Sequence, residues 1–316
     1  MSVLSDEHFH NEASAYAWVE AHVWPDGPVC PHCGSVERIS KMKGKSTRIG
    51  VYKCYACRKP FTVKVGTIFE ASHVPMRIWL QAFYLLASSK KGISANQLHR
   101  TLKLSLKSAW FVGHRIREAM RVGSFSPPMG GAGGSGVVEV DETFIGRKDG
   151  VPKRRGTGHK HAVLSLVERG GEVRSVHVEN IKTKTVVPIV NANVAKEARV
   201  IIDDALQYED KLASFAEHGV VNHSAKEYVR GDIHTNTVES YFSIFKRGMR
   251  GTYRHCGARH LHRYLAEFDF RHNARVGLGV NDEQRAVKMV KGVRGKRLTY
   301  KATDQKVSNG RPEEGA

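Results

Sequence analysis

Two short knuckles, "CPHCG" and "CYAC", constrain this chain more than any other feature. They place Cys30, Cys33, Cys54 and Cys57 in a C-x2-C, twenty residues, C-x2-C pattern. Each knuckle supplies two thiolates, and four thiolates complete a tetrahedral zinc shell. The segments between and after them, "KMKGKSTRIGVYKC" and "RKPFTVKVGT", are strand-like and basic. A zinc ribbon is expected over residues 28–72, held folded by its structural ion. A pair of redox-active C-x2-C motifs is the competing reading. His32 lies inside the first knuckle, but four sulfurs suffice, so it reads as an exposed knuckle residue. Cys256 has no partner motif and reads as an ordinary thiol.

Length and charge narrow the class. A chain of 316 residues suggests two or three domains, and 41% hydrophobic content allows a sizeable core. The formal net charge of +19 points to a polyanion, with DNA or RNA the first candidates. A basic ribosome-associated or membrane-surface protein is the alternative. No apolar run reaches the roughly 18 residues of a membrane span. The opening "MSVLSDEHFHNEASAYAWVEAHVWPDG" is too charged for a signal peptide. A cytoplasmic chain is expected, which disfavours disulfides.

Residues 1–27 suggest a helix ending at "WPDGP", with Phe9, Ala13, Tyr16, Ala17 and Val19 near helical spacing. Residues 73–123 read as three helices, 75–89, 94–101 and 105–121, broken at Gly92 and Ser94 and again at "KLSLKS". The last two fit a helix-turn-helix whose second helix carries Lys107, His114, Arg115 and Arg117; a plain helical bundle is the alternative. "SFSPPMGGAGGSG", residues 124–136, reads as a linker in which nothing packs. A new domain is expected over 137–275. It begins with a strand, "GVVEVDETFIGR", and a hairpin around Gly170–Gly171. Then come a helix over "TKTVVPIVNANVAKE", a buried strand "ARVIIDDA", a helix "YEDKLASFAEHG" and a strand and loop "VVNHSAKEYV". Helices "TNTVESYFSIFKRGM" and "RHLHRYLAEFDFRHNAR" complete it. The order is ribonuclease H-like, so the fold class is α/β. Residues 276–316 read as a basic, partly disordered tail.

Carboxylates recur at informative places. By alternation Val137, Glu139 and Asp141 share one face of their strand, and Val138, Val140 and Glu142 the other. Asp203 and Asp204 end a second apolar strand, where sites in open α/β sheets gather. Asn236, Glu239, Ser243 and Lys246 share one helical face. The bland alternative makes Asn236 an N-cap and Glu239 its capping-box partner. Converging carboxylates suit two Mg²⁺ ions and in-line displacement at phosphorus, with Lys246 on a nearby phosphate. The basic loop "GRKDGVPKRRGTGHKH", 146–161, reads as a phosphate contact or a solvated turn.

Together with the ribbon and the helix-turn-helix pattern, "VEVDETFIG", "IIDDALQY", "HTNTVESYFSIFKRGMRGTY" and "HLHRYLAEFDFRHN" resemble the IS1595 family of DDE transposases, ISXO2-like group, from about residue 10 to 275. The resemblance implies a ribonuclease H-like catalytic domain with two Mg²⁺ or Mn²⁺ ions. Asp141 matches the first acidic position and Asp203 the second. Ile202 stands where the family usually has Thr, and Asp204 follows directly. Asn236 and Glu239 both fit the third position, and the seven-residue step to Lys246 favours Glu239. The implied activity is cleavage at terminal inverted repeats and joining of 3′-hydroxyl ends to target DNA. A homodimer on paired ends, at the bacterial nucleoid, is implied with it. A metal-dependent nuclease or resolvase and a catalytically silent DNA-binding regulator are the alternatives.

Overall fold

A computed structural model describes residues 2–121, 126–131, 136–203, 215, 217–221, 234–254 and 256–299; for 203 and 217–221 it describes the backbone alone. Helix α1 (Glu12–Val23) begins where the Asn11 side chain accepts from the N–H groups of Ala13 and Ser14. Its inward residues are Ala15, Val19 and Val23. Ala13 and Ala17, grouped with Phe9 by spacing, are exposed. The ribbon is an antiparallel sheet of β1 (Ile39–Lys41), β2 (Tyr52–Cys54) and β3 (Pro60–Phe61). Tyr52 stacks on Phe61, and Trp24 meets both rings edge-on.

Helices α2 (Met76–Ser88), α3 (Ala95–Leu102) and α4 (Leu106–Met120) follow. Ser94 and Ser105 cap the last two, accepting from the N–H groups of Gln97 and Ser108. The sequence placed all three helices within one or two residues. Of the side chains it singled out on α4, Lys107 is exposed. His114, Arg115 and Arg117 are buried, so they offer no surface to DNA. Arg115 donates to the carbonyls of Ile68 and Glu70. His114 lies among Trp110, His260 and Tyr264.

The second half is a five-stranded sheet of β4 (Val137–Ile145), β5 (His161–Glu168), β6 (Val173–Val178), β7 (Arg199–Asp203) and β8 (Glu217–Val221), in the order β6-β5-β4-β7-β8. The first three strands are antiparallel; β4, β7 and β8 run parallel. This is the expected ribonuclease H-like order. Helix α5 (Thr183–Asn193) covers one face, with Val186 and Val190 against Val138, Val140, Leu164 and Val200. Pro188 lies inside it rather than near its start. Helices α6 (Asn236–Gly248) and α7 (Ala258–Asn273) cover the other face. The helix expected over 208–219 lies largely outside the described residues, and Glu217–Gly219 belong to β8 instead.

Two boundaries differ from expectation. Met129, in the glycine-rich linker, is 1% exposed and bonds through its backbone to Asn193 and Ala195. At Gly130 an added Cβ would lie 2.6 Å from that of Ala198, so this turn packs tightly. Residues 276–299 are not a loose tail. Helix α8 (Asp282–Lys291) returns to the first half, where Ala286, Met289, Val290 and Val293 join the core of α1, α2 and α4. Asn281 and Gln284 form its capping box. Residues 300–316 lie outside the described region. Among the described residues no helix is long and apolar enough to cross a membrane.

His114 yields a test of this packing. Neither ring nitrogen has a partner, and burial lowers its pKa to about 2. The unfolded chain therefore binds a proton below about pH 6.5 that the folded chain refuses. Stability from this group is full above that pH and is lost as pH falls toward the folded value. His114→Phe forfeits no hydrogen bond. Its melting temperature relative to the parent should rise as pH drops from 8 to 5, by the equivalent of about 2 kcal/mol. A pH-independent difference would contradict the buried neutral imidazole.

Candidate active site and metal centre

The four ribbon cysteines converge. Sγ of Cys30 lies 3.7 Å from that of Cys57, and Cys33 is 3.7 Å from Cys54. All four sulfurs fall within 4.8 Å of one another. A tetrahedron with Zn–S bonds of roughly 2.3 Å has edges of about 3.8 Å, whereas a disulfide needs about 2.05 Å. The cysteines form a possible zinc site, and the separation fits the metal rather than disulfide pairing. His32 is exposed, as expected for a residue outside the shell. Burial pushes the Cys256 thiol up to about 12, consistent with an unreactive group.

The acidic residues are positioned by the sheet. Asp141 lies in β4 opposite Ser165 of β5. On its other side β4 pairs with β7 in the register Val140↔Ile202. One step further along both parallel strands sets Asp141 beside Asp203. Asp204 lies outside the described residues. Asp141 is half-buried, and its Oδ1 accepts from the Glu142 N–H at 2.6 Å.

Glu139, two residues earlier on the same face, is 0% exposed and fixes α6. Its Oε2 accepts from the N–H groups of Thr237 and Val238, both at 2.9 Å. Its Oε1 accepts from the Thr237 hydroxyl at 2.9 Å and from Arg169 Nε at 2.7 Å. Arg169 also donates to the His234 carbonyl at 2.8 Å. A strand carboxylate thus satisfies two orphan donors at a helix N-terminus, where negative charge is favoured. This replaces the capping box. The N-cap is Thr235, without a side-chain cap, and Asn236 is the first helical residue. The Thr235 hydroxyl donates to Glu239 Oε1 at 3.2 Å.

The rotation of α6 separates the remaining candidates. Val238, Tyr241, Phe242 and Phe245 face the sheet. At about 100° per residue, Tyr241 marks one flank of this stripe. It faces α7, donating from its hydroxyl to Asp269 at 2.6 Å. Glu239 and Lys246 lie on the opposite flank, toward β7. Asn236 points nearly away from the stripe; it and Glu239 are both exposed. Lys246 stands about 10 Å beyond Glu239 along the axis, 5.6 Å from the Phe242 ring centre. Glu139, Arg169 and His234 were missed from sequence. The one available signal was Glu139 itself, a carboxylate inside an apolar strand that needs a partner.

Two outcomes check this geometry. Glu139→Ala removes a buried carboxylate that binds Arg169 and leaves two helix N–H groups unpaired, so denaturant unfolding should show a loss of about 3–5 kcal/mol. Loss below 1 kcal/mol would remove Glu139 from its central place. Chelation at neutral pH should melt the ribbon, seen as release of one zinc per chain and loss of the Trp24 fluorescence environment.

Two domain profiles of one family agree with this architecture. The transposase zinc-ribbon domain profile matches residues 10–60, and the ISXO2-like transposase domain profile of the same family matches residues 134–273. A relative from Halobacterium salinarum, described as an uncharacterized protein in transposable element ISH50, is 29% identical over 266 residues. That match covers 78% of this chain and 86% of the relative. A solved pre-cleavage Mos1 transpososome chain is 14% identical, with a TM-score of 0.25, over 70% of this chain and 79% of that one. The chain thus carries, in order, the transposase zinc ribbon and the ISXO2-like transposase domain of the IS1595 family.

Proposed function

We propose that the protein cuts DNA at the terminal inverted repeats of its own element and joins the freed 3′-hydroxyl ends to target DNA. The observation that carries this reading is the parallel register Val140↔Ile202, which ends one residue before Asp141 and Asp203, with Glu239 in the first turn of α6 on the same face of the sheet. These are hard oxygen donors, suited to Mg²⁺ or Mn²⁺ and not to a thiolate-seeking ion. When bound, two such ions supply an activated nucleophile and charge stabilisation at the leaving oxygen. Asp141, Asp203 and Glu239 hold them. The rotation of α6 supports Glu239 over Asn236 as the third ligand. Lys246, about 10 Å along the helix, holds a flanking phosphate as a point charge.

Recognition of the repeats falls to the ribbon and to the helical segment of residues 73–121. The burial of Arg115 and Arg117 shifts the reading surface to exposed Asn96, Gln97 and Arg100 of α3 and Lys107 in the first turn of α4. Asn, Gln and Arg are the side chains best suited to base edges. The loop 146–160 adds exposed Lys153, Arg154 and Arg155 as sequence-independent phosphate contacts. Work on paired ends requires two copies of the chain, so the active species is a homodimer.

The test is a strand-transfer assay with Mg²⁺, a labelled candidate end and supercoiled plasmid. The parent should give joined products. Asp141→Ala and Glu239→Ala should lose more than about 100-fold, beyond the range for residues that only support a ligand. Asn236→Ala should lose far less. Cleavage without joining supports a nuclease or resolvase. End binding without any reaction supports a regulator.

A further inference from the structure

Several buried or half-buried arginines in this protein carry carboxylates. Arg117 pairs with Glu267, Arg169 with Glu139 and Arg285 with Asp282. Five cations at one edge of the sheet do not. Arg147 and Lys148 leave the end of β4, and Lys160 leads into β5. Arg250 lies in the π-helical turn Met249–Tyr253 that follows α6, and Arg254 comes directly after it. Among the described residues none of the five forms an ion pair.

These residues line two adjoining clefts of about 430 and 180 Å³ that share Gly146, Arg254 and Cys256. Asp149 is the one carboxylate among the lining residues. Gly150 and Gly257 leave open space where a side chain would stand. Arg254 has a φ of 56°, a strained conformation for a residue with a Cβ. The turn before it is clamped. Tyr253 donates to buried Glu267 at 2.6 Å, and its hydroxyl oxygen would lie 1.9 Å from a Cβ added at Gly92. A rigid interior thus presents Arg254 outward.

We propose that this trough holds the phosphodiester backbone of duplex DNA beside the bond opened at the carboxylate site. The inference rests on the transposase reading above. Gly146 stands five residues beyond Asp141, about 16 Å along the strand, or about five base pairs at 3.4 Å each. The trough is open and its cations come from three separate segments. A single small anion needs donors that enclose it, whereas a backbone needs donors spread along a track. Sequence reading reached only one wall, the loop 146–161. Arg250 and Arg254 form the other.

The salt dependence of duplex binding tests it. Each phosphate contact contributes about 0.9 to the slope of log K against log salt. Arg250→Gln/Arg254→Gln should lower that slope by about 2 between about 50 and 200 mM salt. Arg250→Lys/Arg254→Lys should keep most of it. Both side chains are exposed, so melting temperatures should match the parent. An unchanged slope in a folded Gln variant overturns the trough alone. Absence of salt-dependent duplex binding in the parent overturns the transposase reading itself. Tight binding of inorganic phosphate that the Gln variant loses, with duplex affinity untouched, makes this a small-anion site and also overturns the proposal.

Discussion

The Glu139 carboxylate is the interaction on which the catalytic half depends. Burial of an uncompensated carboxylate costs several kcal/mol, so the group is tolerable only with partners. Here it has two backbone N–H groups, one hydroxyl and one guanidinium. Charge-assisted bonds of this kind contribute roughly 1.5–3 kcal/mol each, enough to offset the desolvation. The consequence is geometric. A helix free to slide by one residue on a sheet would turn by about 100° and carry Glu239 away from β7. Locking Thr237 and Val238 to β4 removes that freedom. Asp141, two residues along the same strand face, inherits a fixed relation to the helix.

A second buried carboxylate joins the halves of the molecule. Glu267 of α7 meets Arg117 of α4 at 2.6 Å, pairs with Arg271 and accepts from Tyr253. The Arg117 guanidinium lies 4.9 and 4.6 Å from the Tyr253 and Tyr264 ring centres. These cations hold Glu267 near pKa 2 despite burial. Its stabilisation is present above the ordinary carboxylate range and is lost only as pH falls toward 2. The pair therefore persists at the pH where His114 already destabilises the fold. Helix α8 closes the arrangement, because a chain that leaves the sheet returns to pack on α1 and α2.

The legible parts of this fold share a local signal. Alternation in "VVEVDETF" gave the face of Asp141, and apolar content gave β7. Serine caps gave α3 and α4. What stayed illegible depended on partners far away in sequence. Arg117 and Glu267 are 150 residues apart, and Thr237 is 98 from Glu139. Nothing local distinguishes an arginine bound for a buried glutamate from one bound for DNA. The choice between Asn236 and Glu239 turned on helix rotation, which needs the sheet. Helix α8 was a different kind of miss. Ala286, Met289, Val290 and Val293 have the i, i+3, i+4, i+7 spacing of an amphipathic helix, and Asn281 with Gln284 is a capping box. Basic composition outweighed both signals.

Charge placement reconciles a net +19 with a stable core. Self-repulsion at that charge opposes compaction unless cations are neutralised or spread. The structure does both. The guanidiniums of Arg169, Arg117 and Arg263 are matched by Glu139, Glu267 and Glu118, and that of Arg115 by backbone carbonyls, while much of the excess lies on outward loops and turns. On the function proposed above, that division also separates two jobs on DNA. Unpaired surface cations bind any sequence and weaken with salt. Discrimination among sequences needs neutral hydrogen-bonding groups or forked arginines held rigidly against base edges. Asn96, Gln97 and Arg100 stand on the capped, packed α3, whereas Lys153, Arg154 and Arg155 stand on the glycine-containing loop 146–160. On the function proposed above, affinity and specificity reside in different parts of the chain, and a variant that lowers one need not touch the other.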